Sequence, residues 1–227
     1  MDMAEFAEII KGRRSIRAWQ DKPVAEELLI QAVELATWAP NGANQQNWYL
    51  YVILNKDVIK SIDEAMQAGR NIMASWPEMK EMGGFPPPRT PPPGVSPPPM
   101  QRRDPFSAAP AVIAVGTRRT ENPFDKIMLA RAKVDERAAQ MHQWSATIDS
   151  RIQSVSAAIT NLLLVFHQMG LGAVWMTGPL PQCKGDVEKI LNVPADMDIV
   201  ALIPVGYPAD SPTGQRRPVS EVSEVIK

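Results

Sequence analysis

The feature that most constrains the fold is an apolar seam in the C-terminal half of the chain. Seven apolar residues recur there at alternating spacings of four and three, on one side of a helix that stops at Gly170. A helix over residues 145–169 would be roughly 37 Å long, and its other sides are also largely apolar. We therefore expect it both in the centre of the fold and at a subunit interface. The seam residues are Ile148, Ile152, Val155, Ile159, Leu162, Phe166 and Met169.

Shorter elements are predicted around this helix. Helical periodicity is found in a first segment that stops at Gly12, then over residues 25–38, 57–68 and 185–191. Short runs of β-branched, aromatic and other apolar residues predict strands at 48–54, 111–117, 172–177 and 199–205. This order predicts a single α+β domain over residues 1–227, with a central sheet covered by helices.

Charge and cysteine content exclude several classes of protein. Lys and Arg number 24 against 25 for Asp and Glu, a balance that argues against general nucleic-acid binding. No run of 18 apolar residues predicts a membrane span, and the N-terminus lacks the pattern of a secretory signal, so a cytoplasmic location is expected. Cys183 is the only cysteine, which excludes an intrachain disulfide. With only His142 and His167 besides, we expect no metal site and no catalytic role for these three residues.

A proline-rich stretch interrupts the alternation of helices and strands. Nine of the fourteen residues from Pro86 to Pro99 are proline, which removes amide donors and prevents both helix and sheet. The stretch suits a solvated loop, a lid or partner contact over a ligand site, or a ligand for aromatic grooves. The sequence leaves these three open.

Two basic clusters at opposite ends of the chain are candidates for binding a phosphate. Residues 13–17, with the sequence RRSIR, form what we call the arginine segment, and a second cluster begins at Arg216. Guanidinium groups match phosphate oxygens in a bidentate manner and stay charged. The chain contains neither a P-loop nor a complete dinucleotide fingerprint, so a nucleotide site would have another design. The alternative is that the arginine segment is a solvated basic turn.

Two further segments carry groups that suit the edge and face of a heterocycle. Residues 40–48, the amide loop, hold five Asn or Gln side chains, which supply paired donors and acceptors. The strand at 172–177 ends in Thr177-Gly178, where backbone amides leave the sheet and a glycine allows a flat ligand to approach. Taken alone, the amide loop is equally compatible with a polar connecting turn, and the second segment is an ordinary strand end.

Taken together, RRSIRAW, APNGANQQNWYLYVI and GLGAVWMTG resemble, in this order, the nitroreductase family of FMN enzymes. The segments VALIPVGYP and RRP extend the resemblance over most of the chain, except for residues 72–104, where an insert or lid is expected. The resemblance implies a mixed sheet flanked by helices, and an intertwined homodimer with long central interface helices and one FMN in each of two clefts. It implies that the phosphate, ribityl chain and pyrimidine edge are held by Arg13, Arg14, Ser15, Arg17, Arg216 and Arg217. It implies that the flavin of the partner subunit is contacted by Pro40, Asn41, Gly42 and Asn44. One face of the flavin would be lined by Trp175, Met176, Thr177 and Gly178.

The same resemblance implies a chemistry. Hydride would pass from NAD(P)H through flavin N5, next to the backbone amide of Thr177, to a nitroaromatic, quinone or similar small acceptor. Reductive dehalogenation, oxygen-dependent flavin fragmentation and flavin binding without turnover are the alternatives. The chain departs from the family pattern at Asn41, where serine is usual, and at Asn47, where proline is usual. Both departures are compatible with flavin binding, and we expect them to affect which substrate is accepted.

Overall fold

The computed structural model of the protein describes residues 2–83, 102–119 and 122–227, with Ala146 described by its backbone only. The α+β class is confirmed, and the helices over residues 77–81, 123–131 and 136–147 are additions to the predicted set. The helices in these ranges are α1 Met3–Gly12, α2 Glu26–Ala36, α3 Lys56–Ser75, α4 Pro77–Glu81, α5 Pro123–Arg131, α6 Glu136–Thr147, α7 Ser150–Gln168 and α8 Leu180–Ile190. The strands are β1 Trp48–Ile53, β2 Ala111–Arg118, β3 Gly172–Ala173 and β4 Met197–Gly206.

The strands form one sheet in the order β1-β2-β4-β3, with antiparallel pairing between neighbours. β2 and β4 are central and almost wholly buried, as their continuous apolar sequences require. The predicted strand at 172–177 is regular only over β3 and rejoins β4 through a bridge between Met176 and Leu202. Among the described residues, the parallel component of the sheet is a single bridge from Ser15 to Ala173.

Each face of the sheet is covered by one pair of helices. α2 and α7 cover the face that presents Ile113 and Ile203, and the pair α3 and α8 covers the face that presents Val112 and Leu202. Phe166 on α7 is fully buried in the first layer. Burying a side chain of this size contributes roughly 1.5–3 kcal/mol, so the two layers fix how the helices sit on the sheet.

The predicted helix over residues 145–169 is wrong at its N-terminal end. The carboxylate of Asp149 accepts hydrogen bonds from the amides of Arg151 and Ile152, at 2.9 and 3.2 Å, and so caps a new helix at Ser150. This competition between a short acidic side chain and the helical backbone ends α6 and starts α7. The 19 residues of α7 span roughly 28 Å.

Central burial of the seam is confirmed for its C-terminal part. Val155, Ile159, Leu162 and Phe166 are buried, whereas Ile152 is 40% exposed in the single chain. The interface role of the seam stays a prediction. Neither α7 nor any other helix within the described ranges combines the length and apolarity that a membrane crossing requires.

The segment that follows α1 and the segment that follows β4 lie next to each other in the fold. The amide of Ile16 donates to the carbonyl of Ala173 at 3.0 Å, which fixes the arginine segment beside β3. On its other side, Gln20 donates to Tyr207 at 2.9 Å and Ala209 donates to Ala18 at 3.0 Å. The segment after β4 is therefore held next to the segment after α1.

The proline-rich stretch from Pro86 to Pro99 lies outside the described residues, so its role as a lid stays a prediction. On the N-terminal side of it, α3 continues to Ser75, seven residues beyond the predicted end at Ala68. The first part of the predicted insert, from residue 72, is thus the end of a helix.

Candidate active site

A cavity of about 240 Å³ lies where α1, α7, β3 and the segment after β4 meet, and we call it the cationic pocket. Its walls come from the ends of two helices and from the strand start that follows α7, so no single element forms it. Residues lining the cationic pocket include Gly12, Arg13, Arg14, Leu163, His167, Gly170, Gly172, Asp210 and Ser211.

Two guanidinium groups, those of Arg13 and Arg14, line this pocket, and Arg216 from the second basic cluster is close enough for its charge to act on Arg13. Burial lowers the pKa of Arg13, and the charges of Arg216 and then Arg14 lower it further. A Cβ on Gly214 would lie 3.5 Å from Nε of Arg14 and 3.9 Å from Nη1 of Arg216. Like charges so close together disfavour one another, and an anion bound between them would remove that cost.

The side chain of Arg14 is only partly satisfied by the protein. Its Nη1 donates to the carbonyl of Arg13 at 2.8 Å and also to the carbonyl of Lys11. Its Nε is buried and has no hydrogen-bond partner among the described residues. A buried donor without an acceptor costs about 1–3 kcal/mol, so an oxygen atom of a ligand bound next to Arg14 would remove this cost.

Backbone packing sets the position of the rest of the arginine segment. Ser15 is half-buried at its bridge to Ala173, and Nη1 of Arg17 donates to the carbonyl of Ser15 at 3.4 Å. A Cβ on Gly172 would lie 2.5 Å from Cγ1 of Ile16, so only glycine allows the segment to lie this close to β3.

Two titratable residues of the pocket are not predicted from the sequence. His167 was expected to have no role at the site, yet it lines the pocket from the last turn of α7. Asp210 lines it from the segment after β4, and its Oδ1 is buried without a hydrogen-bond partner among the described residues. The sequence indicates these two residues only by their positions near motifs. His167 lies three residues before the GLGAVWMTG segment, which begins at Gly170, and Asp210 lies six residues before Arg216.

The amide loop lies away from the cationic pocket within one chain. The amide of Gly42 approaches Oγ of Ser154 at 3.5 Å, near the start of α7. Ser154 and His167 are thirteen residues apart on this helix, which is roughly 20 Å. The structure therefore does not bring Pro40, Asn41, Gly42 and Asn44 together with the arginines of the same chain.

The amide loop has an unusual backbone. Ala43, Asn44 and Gln46 all have positive φ angles, of 52, 53 and 47°. Oδ1 of Asn41 accepts a hydrogen bond from the amide of Gln46 at 2.9 Å, which helps to hold this conformation. Left-handed residues other than glycine cost about 1–3 kcal/mol each and concentrate at binding sites.

Residues 175–178 follow the part of the chain that lines the cationic pocket, and most of them are exposed. Met176 exchanges two backbone hydrogen bonds of 2.9 Å with Leu202, after which the chain leaves the sheet. Thr177 is exposed, and within the described ranges no backbone carbonyl accepts from its amide. A Cβ on Gly178 would meet nothing within 4 Å, so the surface there is open to a flat ligand.

Other residues named from the sequence have less contact with this region. Arg217 and Trp175 are exposed. Cys183 is buried on α8, and burial raises the pKa of its thiol, so it is a protonated core residue near neutral pH. Within residues 2–83, 102–119 and 122–227, no group of three or more His, Cys, Asp or Glu side chains is placed to hold a metal ion.

Comparison with known proteins identifies the family of the chain. The Nitroreductase family model matches residues 10–207, which include the arginine segment, the amide loop and the strand end. The chain belongs to the nitroreductase family. The family resemblance seen in the sequence is thereby confirmed.

Three known proteins place this nitroreductase-family chain among its relatives. A protein of Methanothermobacter thermautotrophicus named "Putative NADH dehydrogenase/NAD(P)H nitroreductase" is 27% identical over 210 residues, which is 92% of this chain and 80% of that one. A BluB-like flavoprotein of Clostridium difficile 630 has a TM-score of 0.75 at 20% identity, over 100% of both chains. Oxidised iodotyrosine deiodinase bound to FMN and 3-iodo-L-tyrosine has a TM-score of 0.63 at 21% identity, over 97% of this chain and 96% of that one.

Proposed function

We propose that this protein is an FMN-dependent oxidoreductase that passes hydride from NADH or NADPH to a small electron-poor aromatic acceptor. The observation that carries the proposal is a pocket lined by Arg13 and Arg14 with Arg216 close beside them, together with the unpaired Nε of Arg14. A phosphate monoester carries close to two negative charges and accepts several hydrogen bonds, which is what these donors lack.

The pocket suits the phosphate and sugar-alcohol end of FMN in size and in chemistry. A volume of about 240 Å³ lies below the roughly 300–1,000 Å³ usual for a whole-ligand pocket, so the pocket leaves the aromatic ring system outside. The free Oδ1 of Asp210 supplies an acceptor for hydroxyl groups, which the arginines cannot provide. From the pocket the 172–178 segment leads to the open surface at Gly178, where a flat ring can lie.

In this proposal the protein positions the reactive groups and the cofactor supplies the redox chemistry. FMN, when bound, accepts and donates hydride at its N5 atom. The amide of Thr177 is our candidate donor to that atom, because it is exposed and has no acceptor in the described fold. Trp175, Met176 and Gly178 would line one face of the ring. The positive charge of the arginine segment favours a cofactor that gains negative charge on reduction.

A second copy of the chain is part of the proposal. The amide loop lies roughly 20 Å from the cationic pocket along α7, so it cannot complete the site of its own chain. Trp38, immediately before this loop, is 82% exposed, and Ile152 on α7 is also exposed. An apolar surface of this kind marks a protein interface, and a homodimer would bring the loop of each chain to the pocket of the other.

Anaerobic stopped-flow mixing of the purified, FMN-loaded protein with NADH or NADPH tests the proposal. We expect at least one nucleotide to bleach the flavin absorbance at about 450 nm, because hydride transfer reduces the flavin. The absorbance should return when a nitroarene or quinone is added. A protein that binds no FMN would overturn the cofactor assignment. A protein that keeps FMN but is bleached by neither nucleotide would be a flavin-binding protein without this activity.

Reductive dehalogenation is the second candidate. The observation that favours it is the fold-level match to a deiodinase bound to FMN and an iodinated aromatic amino acid, over nearly the whole of both chains. Release of halide from a halophenol by the reduced protein, measured with an ion-selective electrode, supports this candidate. Rapid nitroarene reduction without halide release supports the first.

A further inference from the structure

His167 occupies a position in the cationic pocket that none of the family motifs assigns. It lies in the last turn of α7, and its imidazole faces the end of α1. A Cβ on Gly12 would lie 2.9 Å from Nε2 of His167, so the absence of a side chain at Gly12 makes room for the ring. The ring therefore sits directly beside the backbone that carries Arg13 and Arg14.

The groups that face His167 oppose a positive charge on its ring when the pocket holds no anion. Burial lowers the pKa of His167, and the charges of Arg13 and Arg14 lower it further. The C-terminal end of α7 acts in the opposite direction, since its free carbonyls favour a cation. Asp210 also lines the pocket, and a carboxylate favours a cation near it, but burial and the two arginines prevail at His167.

A bound phosphate monoester would change this balance. Its two negative charges would lie among Arg13, Arg14 and His167 and would offset the repulsion between the arginines and a protonated ring. Histidine is the side-chain type whose ordinary pKa lies between about 5 and 8, so a nearby charge can change its protonation state in this range. Anion binding and protonation of this ring are therefore coupled, and each favours the other.

We propose that His167 is a phosphate-binding residue of this pocket that takes up one proton from solvent when FMN binds. This inference rests on the proposed function, because it assumes that the phosphate of FMN enters the cationic pocket. In the bound state the imidazolium supplies a further charged donor beside the two arginines, and on release of FMN the proton returns to solvent. Below the titration range of the free protein this contribution to affinity is fully present, and it is lost as pH rises through the range of the bound protein.

Proton NMR of the wild-type protein tests the coupling directly, since the chain has two histidines and hence two imidazole Cε1–H signals. His142 lies on α6, outside the residues that line the pocket, and serves as the internal control. The signals are assigned from the variant His142→Gln, which lacks one of them. We expect FMN to move the titration midpoint of the His167 signal to higher pH and to leave the His142 signal unchanged. Riboflavin, which lacks the phosphate, should move neither.

The variant His167→Gln gives a second measurement, because glutamine keeps a hydrogen-bond donor but is neutral at every pH. The ratio of its FMN dissociation constant to that of the wild type should be about tenfold near pH 5.5 and approach one near pH 8.5, the size expected when a charge-assisted hydrogen bond is removed. The titration of FMN's own phosphate affects both proteins and cancels in the ratio. His142→Gln should give a ratio of one throughout.

The outcomes separate the two proposals. FMN that binds without moving the His167 signal, a ratio that does not change with pH, or an equal response to riboflavin would overturn the role of His167 and leave the proposed function intact. A chain that binds no FMN at all, as judged by flavin fluorescence, would overturn the proposed function and this inference with it.

Discussion

Replacing Arg13 with alanine separates the binding role of the cationic pocket from any structural role. Burial and the neighbouring Arg216 and Arg14 lower the pKa of Arg13, so folding disfavours its charge in the ligand-free protein. Removing that charge should leave the melting temperature of the FMN-free protein unchanged or slightly raised. Loss of a charge-assisted hydrogen bond should weaken FMN binding by about 1.5–3 kcal/mol, or roughly 10- to 150-fold.

Two assays measure these effects. Quenching of flavin fluorescence on binding gives the dissociation constant. Thermal unfolding at an FMN concentration of about 100 times the wild-type constant should show ligand stabilisation falling from about 2.7 to about 0.4 kcal/mol if affinity drops a hundredfold. The matched control is Arg70→Ala, which removes an exposed arginine from α3 on the other side of the sheet. Riboflavin is the matched ligand, and its affinity should be insensitive to Arg13.

Two results would refute this reasoning. One is a variant that binds FMN as tightly as Arg70→Ala does. The other is a variant that loses stability without FMN, since that would make Arg13 a structural residue whose charge the fold tolerates for other reasons.

Three further changes test how the fold positions the site. Gly172→Ala places a Cβ 2.5 Å from Ile16, so we expect a loss of about 1–3 kcal/mol in the free energy of unfolding. In the control Gly185→Ala the new Cβ meets nothing within 4 Å, and the variant should stabilise α8 by about 0.5–1 kcal/mol. Equal urea midpoints for the two variants would contradict the close packing of Ile16 on β3. Asp149→Ala removes the cap of α7 and should cost about 1 kcal/mol in urea unfolding, and no loss would mean that tertiary packing alone starts this helix. Hydrogen bonds from Arg119 and Lys184 hold the pKa of Asp198 far below its usual range, so the contribution of this carboxylate to stability is present above about pH 4 and is lost as pH falls further. Asp198→Asn should therefore lower the free energy of unfolding at pH 7 by about 1–3 kcal/mol. A loss of stability that stays the same in acid would exclude this ion-pair origin.

Local patterns in the sequence predicted most of the sheet and the helices that cover it. The continuous apolar runs of β2 and β4 are long enough to specify buried strands, and α2 has a single apolar side that requires cover. α5 and α6 were missed because their apolar residues lack a clear periodic side, so no pattern marked them as buried. The break before α7 is not predicted either. Asp149 is an ordinary helix-capping residue, but the apolar seam continues on both sides of it with unbroken helical spacing.

The sequence by itself determined the family and the residue types of the site, since RRSIR, the amide loop and the Thr177-Gly178 strand end are each contiguous in the chain. Only the tertiary structure decided which of these groups meet. Arg216 reaches Arg13 because residues 207–209 bond to residues 18–20, a contact between segments almost 190 residues apart that no local pattern encodes. His167 joins them because Gly12 leaves space for its ring at the end of α7. The amide loop, by contrast, is held near the other end of the same helix, away from these residues of its own chain. The physical reason is that periodicity records which side of an element is buried, whereas the meeting of distant segments depends on strand pairing and on the length of the helix between them.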